Sequence, residues 1–108
     1  MDTQKDTLAR LEQVIASRAG SDPDASYVAR LHARGLAKIA QKVGEEAVEA
    51  VIAAMADDRE GLVGEAADLL FHLLVLLGAK GVTIAEVLAE LDRREGVSGI
   101  DEKASRTR

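Results

Sequence analysis

Five acidic residues fall at helical spacing in two short stretches: Glu45, Glu46 and Glu49 within KIAQKVGEEAVE (38–49), and Glu65 and Asp68 within EAAD (65–68). On an α-helix, at about 100° per residue, Glu46 and Glu49 sit roughly 60° apart and one turn from each other. Glu45 and Glu49, four apart, lie closer still in angle. Glu65 and Asp68 repeat the three-residue step on another helix. Two such helices, packed with these stripes facing, bring up to five carboxylates into one small volume. Uncompensated carboxylates there repel and raise one another's pKa, so the cluster calls for a cation. Hard oxygen donors, in a chain without cysteine, favour Mg²⁺, or Mn²⁺, over zinc. The bland alternative is a solvated acidic face. Against it, Glu65 and Asp68 lie in a segment otherwise rich in Ala and Leu, and the two clusters sit on consecutive helices joined by a short turn.

Basic residues stand close by. Lys38 and Lys42 precede the glutamates by one to two turns, roughly 5–10 Å along the axis. Either Lys42 simply pairs with Glu46 at i, i+4, in the weaker orientation with lysine on the N-terminal side, or both lysines reach phosphate oxygens beyond a metal. Arg30, His32 and Arg34 form a second basic cluster upstream, which by itself is equally compatible with a solvated surface. His72 follows Asp68 by four residues and Glu65 by seven, on the same stripe. It suits a partner of Asp68 or a hydrogen-bonded core histidine better than a direct metal ligand. A four-helix di-iron site would need a histidine three residues after a glutamate, and the chain has none. Nothing supports a P-loop or a serine or cysteine nucleophile.

The elements that must position these residues are helices. The chain has 108 residues, enough for one domain; Pro occurs once, aromatics are 2 %, and Ala, Leu and Val dominate, which favours helix over sheet. A net charge of −5 and only Tyr27 and Phe71 as aromatics argue against a nucleic-acid binder. The N-terminus is charged and lacks the apolar stretch of a secretory signal. The longest apolar run, Leu69 to Ala79, falls short of the roughly 18 residues of a membrane span. A cytoplasmic protein without membrane contact is expected.

In chain order, the spacing predicts an amphipathic helix from Thr3 to Ala19 with Gly20 as C-cap, then a loop at Gly20–Ala25 and Ser26 as N-cap. Helix follows from Tyr27 to Ala56, with a kink or a break into two helices at Gly35. Beyond it, Leu36, Ile39, Val43, Ala47, Ala50 and Ala54 form the apolar side. Gly44 marks either a tolerated glycine or a close approach to a ligand or neighbour. Asp57-Asp58 separates this helix from the next, Arg59 to Ala79, whose second half is apolar nearly all round and must be covered on every side. A homodimer sharing a helical bundle is the economical cover. Gly81 ends that helix, Thr83 and Glu86 form a capping box, and a last helix runs to Arg94. The fold expected is all-α, four to five helices in a dimeric bundle, with residues 1–95 as the domain and 96–108 as a mobile tail.

SYVARLHARGLAKIAQKVGEEAVEAVIAA, followed by EAADLLFHLLVLLGAKGVTIAEVLAEL, closely resembles phosphoribosyl-ATP pyrophosphohydrolase, the family of the second step of histidine biosynthesis. The likeness covers about Leu8 to Arg94. The paired pattern E-E-x-x-E and E-x-x-D is shared by the wider MazG-like all-α nucleoside triphosphate pyrophosphohydrolases. The stretch from Ser26-Tyr27 through Lys42-Val43-Gly44-Glu45-Glu46 narrows it to the histidine branch, with no departure at a motif position. The resemblance implies hydrolysis of 1-(5-phosphoribosyl)-ATP to the AMP compound and pyrophosphate. It implies Glu46, Glu49, Glu65 and Asp68 as Mg²⁺ ligands, and Glu45 as the residue that positions or deprotonates water. Lys38 and Lys42 would hold the leaving pyrophosphate, and Arg30 or Arg34 the 5′-phosphate of the added ribose. Rival readings are a house-cleaning nucleotide pyrophosphohydrolase with the same metal site, and a helical interaction module without catalysis.

Overall fold

A computed structural model describes residues 7–95, and across them every regular element is helical. The order is α1 (Thr7–Arg18), α2 (Tyr27–Arg34), α3 (Leu36–Met55), α4 (Arg59–Ala79) and α5 (Ile84–Arg94). Among the described residues the fold is all-α with five helices. The expected helix start at Thr3 and the expected tail at 96–108 lie outside the described residues.

Local chemistry sets the boundaries. Ser26 caps α2, its hydroxyl accepting the Ala29 N–H at 3.2 Å. At Gly35 the chain breaks into two helices: φ is +98°, a conformation that costs glycine little and other residues much. The Gly35 N–H donates to the carbonyls of Leu31 and His32, and its carbonyl accepts from Lys38 and Ile39, so this one residue closes α2 and opens α3. Asp58 caps α4 by accepting the Gly61 N–H at 2.9 Å. Gly81, at φ +71°, ends the Lys80 turn after α4, with Val82 N–H reaching back to the Leu77 carbonyl. The Thr83–Glu86 capping box forms as expected. It is joined by a contact that no local pattern announces: Glu12 of α1 accepts the Ile84 N–H at 2.7 Å, tying α5 to α1. The Gly20 cap does not form in the left-handed manner; α1 stops at Arg18, whose carbonyl accepts the Ser21 N–H, and Gly20 keeps a negative φ.

The core joins four helices through Ile15, Val28, Leu31, Ile39, Leu74 and Val75. The α3–α4 hairpin is its most extensive contact. The buried side of α3 is rotated from the expected one. Ile39, Glu46 and Ala53 are buried while Leu36 and Ala54 are exposed. Glu46 thus stands on the inner face, against α4, as the facing acidic stripes require, beside Val43, Ala47 and Ala50 of the expected apolar side, which are half-buried. Gly44 has open space around it, since an added Cβ would meet nothing within 4 Å; no neighbour among the described residues requires the glycine.

Much apolar surface stays uncovered in the single chain. Val48, Val51, Ile52 and Met55 form a second, exposed stripe along α3, with Met55 81 % exposed. On α4, Val63 and Leu70 are exposed as well, and only His72, Leu74 and Val75 are buried. The full 21 residues of α4, unlike its uninterrupted apolar run, are long and apolar enough by composition to cross a membrane. Three carboxylates, Glu60 in the first turn and Glu65 and Asp68 farther in, lie within that helix, and intramembrane carboxylates are costly.

Candidate active site

The α3–α4 hairpin brings the two acidic stripes together. Carboxylate oxygens of Glu46, Glu49 and Glu65 lie within 4.8 Å of one another. Glu46 is buried at 6 % exposure, Glu65 is half-buried and Glu49 exposed, so the cluster opens outward on one side. The exposed Asp68 is outside this group.

The electrostatics are those of a site only partly compensated. Glu46 Oε2 and Glu65 Oε2 are buried and have no hydrogen-bond partner among the described residues. Such orphaned acceptors are costly unless something satisfies them. The Glu49 carboxylate beside it, then burial, then Glu46, push the Glu65 carboxyl up to about 7. Buried, orphaned, all-oxygen donors at this separation suit a hard divalent cation. The residues present fit a metal site.

Lys42 borders the cluster, 3.3 Å from Glu45 and 3.6 Å from Glu46. The hydrogen bond to Glu45 is the main cause that raises the Lys42 pKa, which keeps this amine fully charged. The expected Lys42–Glu46 pair is therefore present, shared with Glu45. Glu45 also accepts a hydrogen bond from Gln41 at 2.8 Å. Gln41 first, then Lys42, hold its carboxyl below the usual range. A carboxylate so stabilised is a weak base but a good hydrogen-bond acceptor, so its surroundings favour orienting water over deprotonating it.

Beyond Lys42 lies a cavity of about 250 Å³ lined by Tyr27, Arg30, Leu31, Arg34, Lys38 and Lys42. All four expected phosphate-binding cations meet there, drawn from α2 and α3 across the Gly35 break. His32 does not join them; it lines a separate cavity with Glu12, Ile15 and Leu74.

His72 is buried at 5 % exposure. Its Nδ1 lies 2.7 Å from the main-chain carbonyl of Asp68, not from the carboxylate. A carbonyl only accepts, so Nδ1 carries the proton, and in the neutral ring Nε2 accepts from the Tyr27 hydroxyl at 2.7 Å. Tyr27 and Gln41 did not stand out in the sequence. The steps of three and seven from Tyr27 to Arg30 and Arg34 are the signal that puts the ring on the cationic face; Gln41 carries only its i, i+4 relation to Glu45.

Known proteins share this sequence closely. A relative from Novosphingobium aromaticivorans named phosphoribosyl-ATP pyrophosphatase is 73 % identical over 100 residues, covering 93 % of this chain and 94 % of its own. Relatives of the same name from Erythrobacter litoralis and Dinoroseobacter shibae are 68 % and 64 % identical, again covering more than nine-tenths of both chains. The family described as phosphoribosyl-ATP pyrophosphohydrolase matches residues 8–95, a span that holds both acidic stripes, all four cavity cations and His72. By that match the chain belongs to the phosphoribosyl-ATP pyrophosphohydrolase family.

Proposed function

We propose that this protein hydrolyses 1-(5-phosphoribosyl)-ATP to 1-(5-phosphoribosyl)-AMP and pyrophosphate, the second step of histidine biosynthesis, with Mg²⁺ as cofactor. The observation that carries the mechanism is a carboxylate cluster with two orphaned buried oxygens set directly beside a four-cation cavity. Glu46, Glu49 and Glu65 hold the cation, and Asp68, one turn beyond Glu65, completes the set on the exposed side. Mg²⁺, or Mn²⁺, when bound supplies Lewis-acid neutralisation of triphosphate oxygens.

The rest is done by the chain's own groups. Lys42 and Lys38 neutralise the charge that gathers on the leaving pyrophosphate as the α–β anhydride bond breaks. Glu45, kept ionised by Gln41 and Lys42, accepts a hydrogen bond from the attacking water and fixes its orientation. Arg30 and Arg34, farther along the cavity, hold the 5′-phosphate of the added ribose. Water adds to the α-phosphorus as the bond from that phosphorus to the bridging oxygen breaks, pyrophosphate leaves with the bonding electrons, and the proton of the water passes to solvent.

The protein works as a homodimer in the cytoplasm, where histidine is made. Support for the dimer comes from the exposed stripe Val48, Val51, Ile52 and Met55 and from the uncovered side of α4; contiguous apolar surface of that kind marks an interface.

Pyrophosphate release is the test, measured with phosphoribosyl-ATP and with a panel of ordinary nucleoside triphosphates. A strong preference for phosphoribosyl-ATP is expected. Comparable turnover of free nucleotides would make the protein a house-cleaning pyrophosphohydrolase, and no release from any of them would make it a non-catalytic module.

A further inference from the structure

We propose that Tyr27 is the platform on which the purine ring of the substrate stacks, with His72 as the positioning residue that holds it at the cationic cavity. The inference rests on the reading of the cavity as a nucleotide site and adds what the cations cannot supply, a surface for the base.

Tyr27 is the one aromatic among the residues lining that cavity, and the whole chain has one Tyr, one Phe and no Trp. Its ring is fixed from several directions. The hydroxyl is tied to His72 Nε2 at 2.7 Å. Phe71 stacks beside it with ring centroids 6.1 Å apart and planes 24° apart. His72 meets it edge-on at 5.6 Å. A residue whose ring is anchored in this way could have been buried, yet Tyr27 stays 40 % exposed. Being held and open at once, it has little conformational freedom left to lose on binding. The Arg30 guanidinium stands over the ring at 5.9 Å from its centroid. A base lying on Tyr27 would therefore meet a second planar, cationic group of the kind that stacks on nucleobases.

His72 makes the placement rigid. Its Nδ1–H is spent on the Asp68 carbonyl, so the position of the Tyr27 ring is referred to the backbone of α4, the helix that carries Glu65. The separation between the base platform and the carboxylate cluster is thereby set by two short hydrogen bonds and one helix.

Because Tyr27 is the chain's only tyrosine, tyrosine-selective ¹³C labelling gives a single ring to follow by NMR. Phosphoribosyl-AMP should move its resonances through the ring current of the base, and Mg²⁺ with tripolyphosphate, which has no base, should leave them nearly in place. In kinetics, Tyr27→Leu should raise KM for phosphoribosyl-ATP about 5- to 150-fold, the range for losing one stacked base. The loss should fall in KM rather than kcat, and inhibition by tripolyphosphate should not weaken. Tyr27→Phe, which keeps the face and loses the tether, should be damaged less. An unmoved ring signal at saturating phosphoribosyl-AMP overturns the proposal, as does an unchanged KM in Tyr27→Leu. Equal losses toward phosphoribosyl-ATP and tripolyphosphate would assign the ring to propping Arg30, and a Phe variant as poor as Leu would assign the effect to the hydroxyl; either overturns the platform. Failure of the functional reading itself is seen separately, as a wild type that releases no pyrophosphate from phosphoribosyl-ATP.

Discussion

Replacing Glu49 by glutamine tests the carboxylate cluster from two directions. Glu49 is the first cause of the raised Glu65 carboxyl, and together with burial and Glu46 it lifts that group from 4.5 to about 7. A carboxyl whose folded pKa exceeds its unfolded value contributes stability in full below pH 4.5 and loses it as the pH rises through about 7. For this group, then, the metal-free wild type is more stable at pH 5 than at pH 8. The same proton competes with a cation. The protonated form prevails at pH 6 and the ionised form at pH 8, so Mg²⁺ should bind clearly more weakly at pH 6 than at pH 8. Glu49→Gln removes the largest push on Glu65, and the metal-free variant should be as stable as the wild type at pH 8 or stabler. With Mg²⁺ the order reverses. At a hundred times its Kd, the ion stabilises the wild type by about 2.7 kcal/mol, on the order of 10 °C in Tm for a domain of this size. The variant, offering a neutral amide in place of a carboxylate, should gain far less. The assay is thermal unfolding at pH 6 and pH 8, with Mg²⁺ or a chelator, beside pyrophosphate release. A variant with wild-type turnover and the wild-type Mg²⁺ shift removes Glu49 from the metal site. Mg²⁺ affinity that is flat between pH 6 and pH 8 refutes the coupling of Glu65 to its neighbours.

Lys42→Ala should lower kcat/KM about 10- to 150-fold, the worth of one charge-assisted phosphate contact of about 1.5–3 kcal/mol, and change Mg²⁺ affinity much less; steady-state kinetics and Mg²⁺ titration separate the two, and an unaltered kcat/KM removes lysine from the phosphate site. Sedimentation at micromolar concentration should find a wild-type dimer, and Met55→Glu, at an 81 % exposed position, should dissociate it while circular dichroism still reports helix; a folded wild-type monomer refutes the interface. Gly35→Ala should destabilise the fold by about 1–3 kcal/mol in denaturant unfolding, since φ is +98° there, and should reduce activity by shifting Arg30 and Arg34 against Lys38 and Lys42. Wild-type stability in that variant would mean the α2–α3 break does not need glycine.

Whatever depends on one turn of helix was legible in the chain. Capping is an i to i+3 affair, so Ser26, Asp58 and the Thr83–Glu86 box could be found from residue type and spacing. The three-residue steps at Glu46/Glu49 and Glu65/Asp68 likewise fixed which carboxylates share a face, because angle around a helix follows from count alone. What count does not fix is how one helix is turned and slid against another. Side-chain packing between α3 and α4 decided that. It buried Glu46 in line with Ile39 and Ala53, left Leu36 and Ala54 exposed, and drew Glu46, Glu49 and Glu65 within 4.8 Å while leaving Asp68 outside the group. Packing between distant segments decided the rest of the site. The Tyr27–His72 hydrogen bond spans 45 residues and the Glu12 cap on α5 spans 72, and neither leaves a periodic trace in the sequence. The exposed stripe from Val48 to Met55 has the same origin: periodicity marks a helix side as apolar, and only the folded arrangement tells which apolar side the chain itself covers.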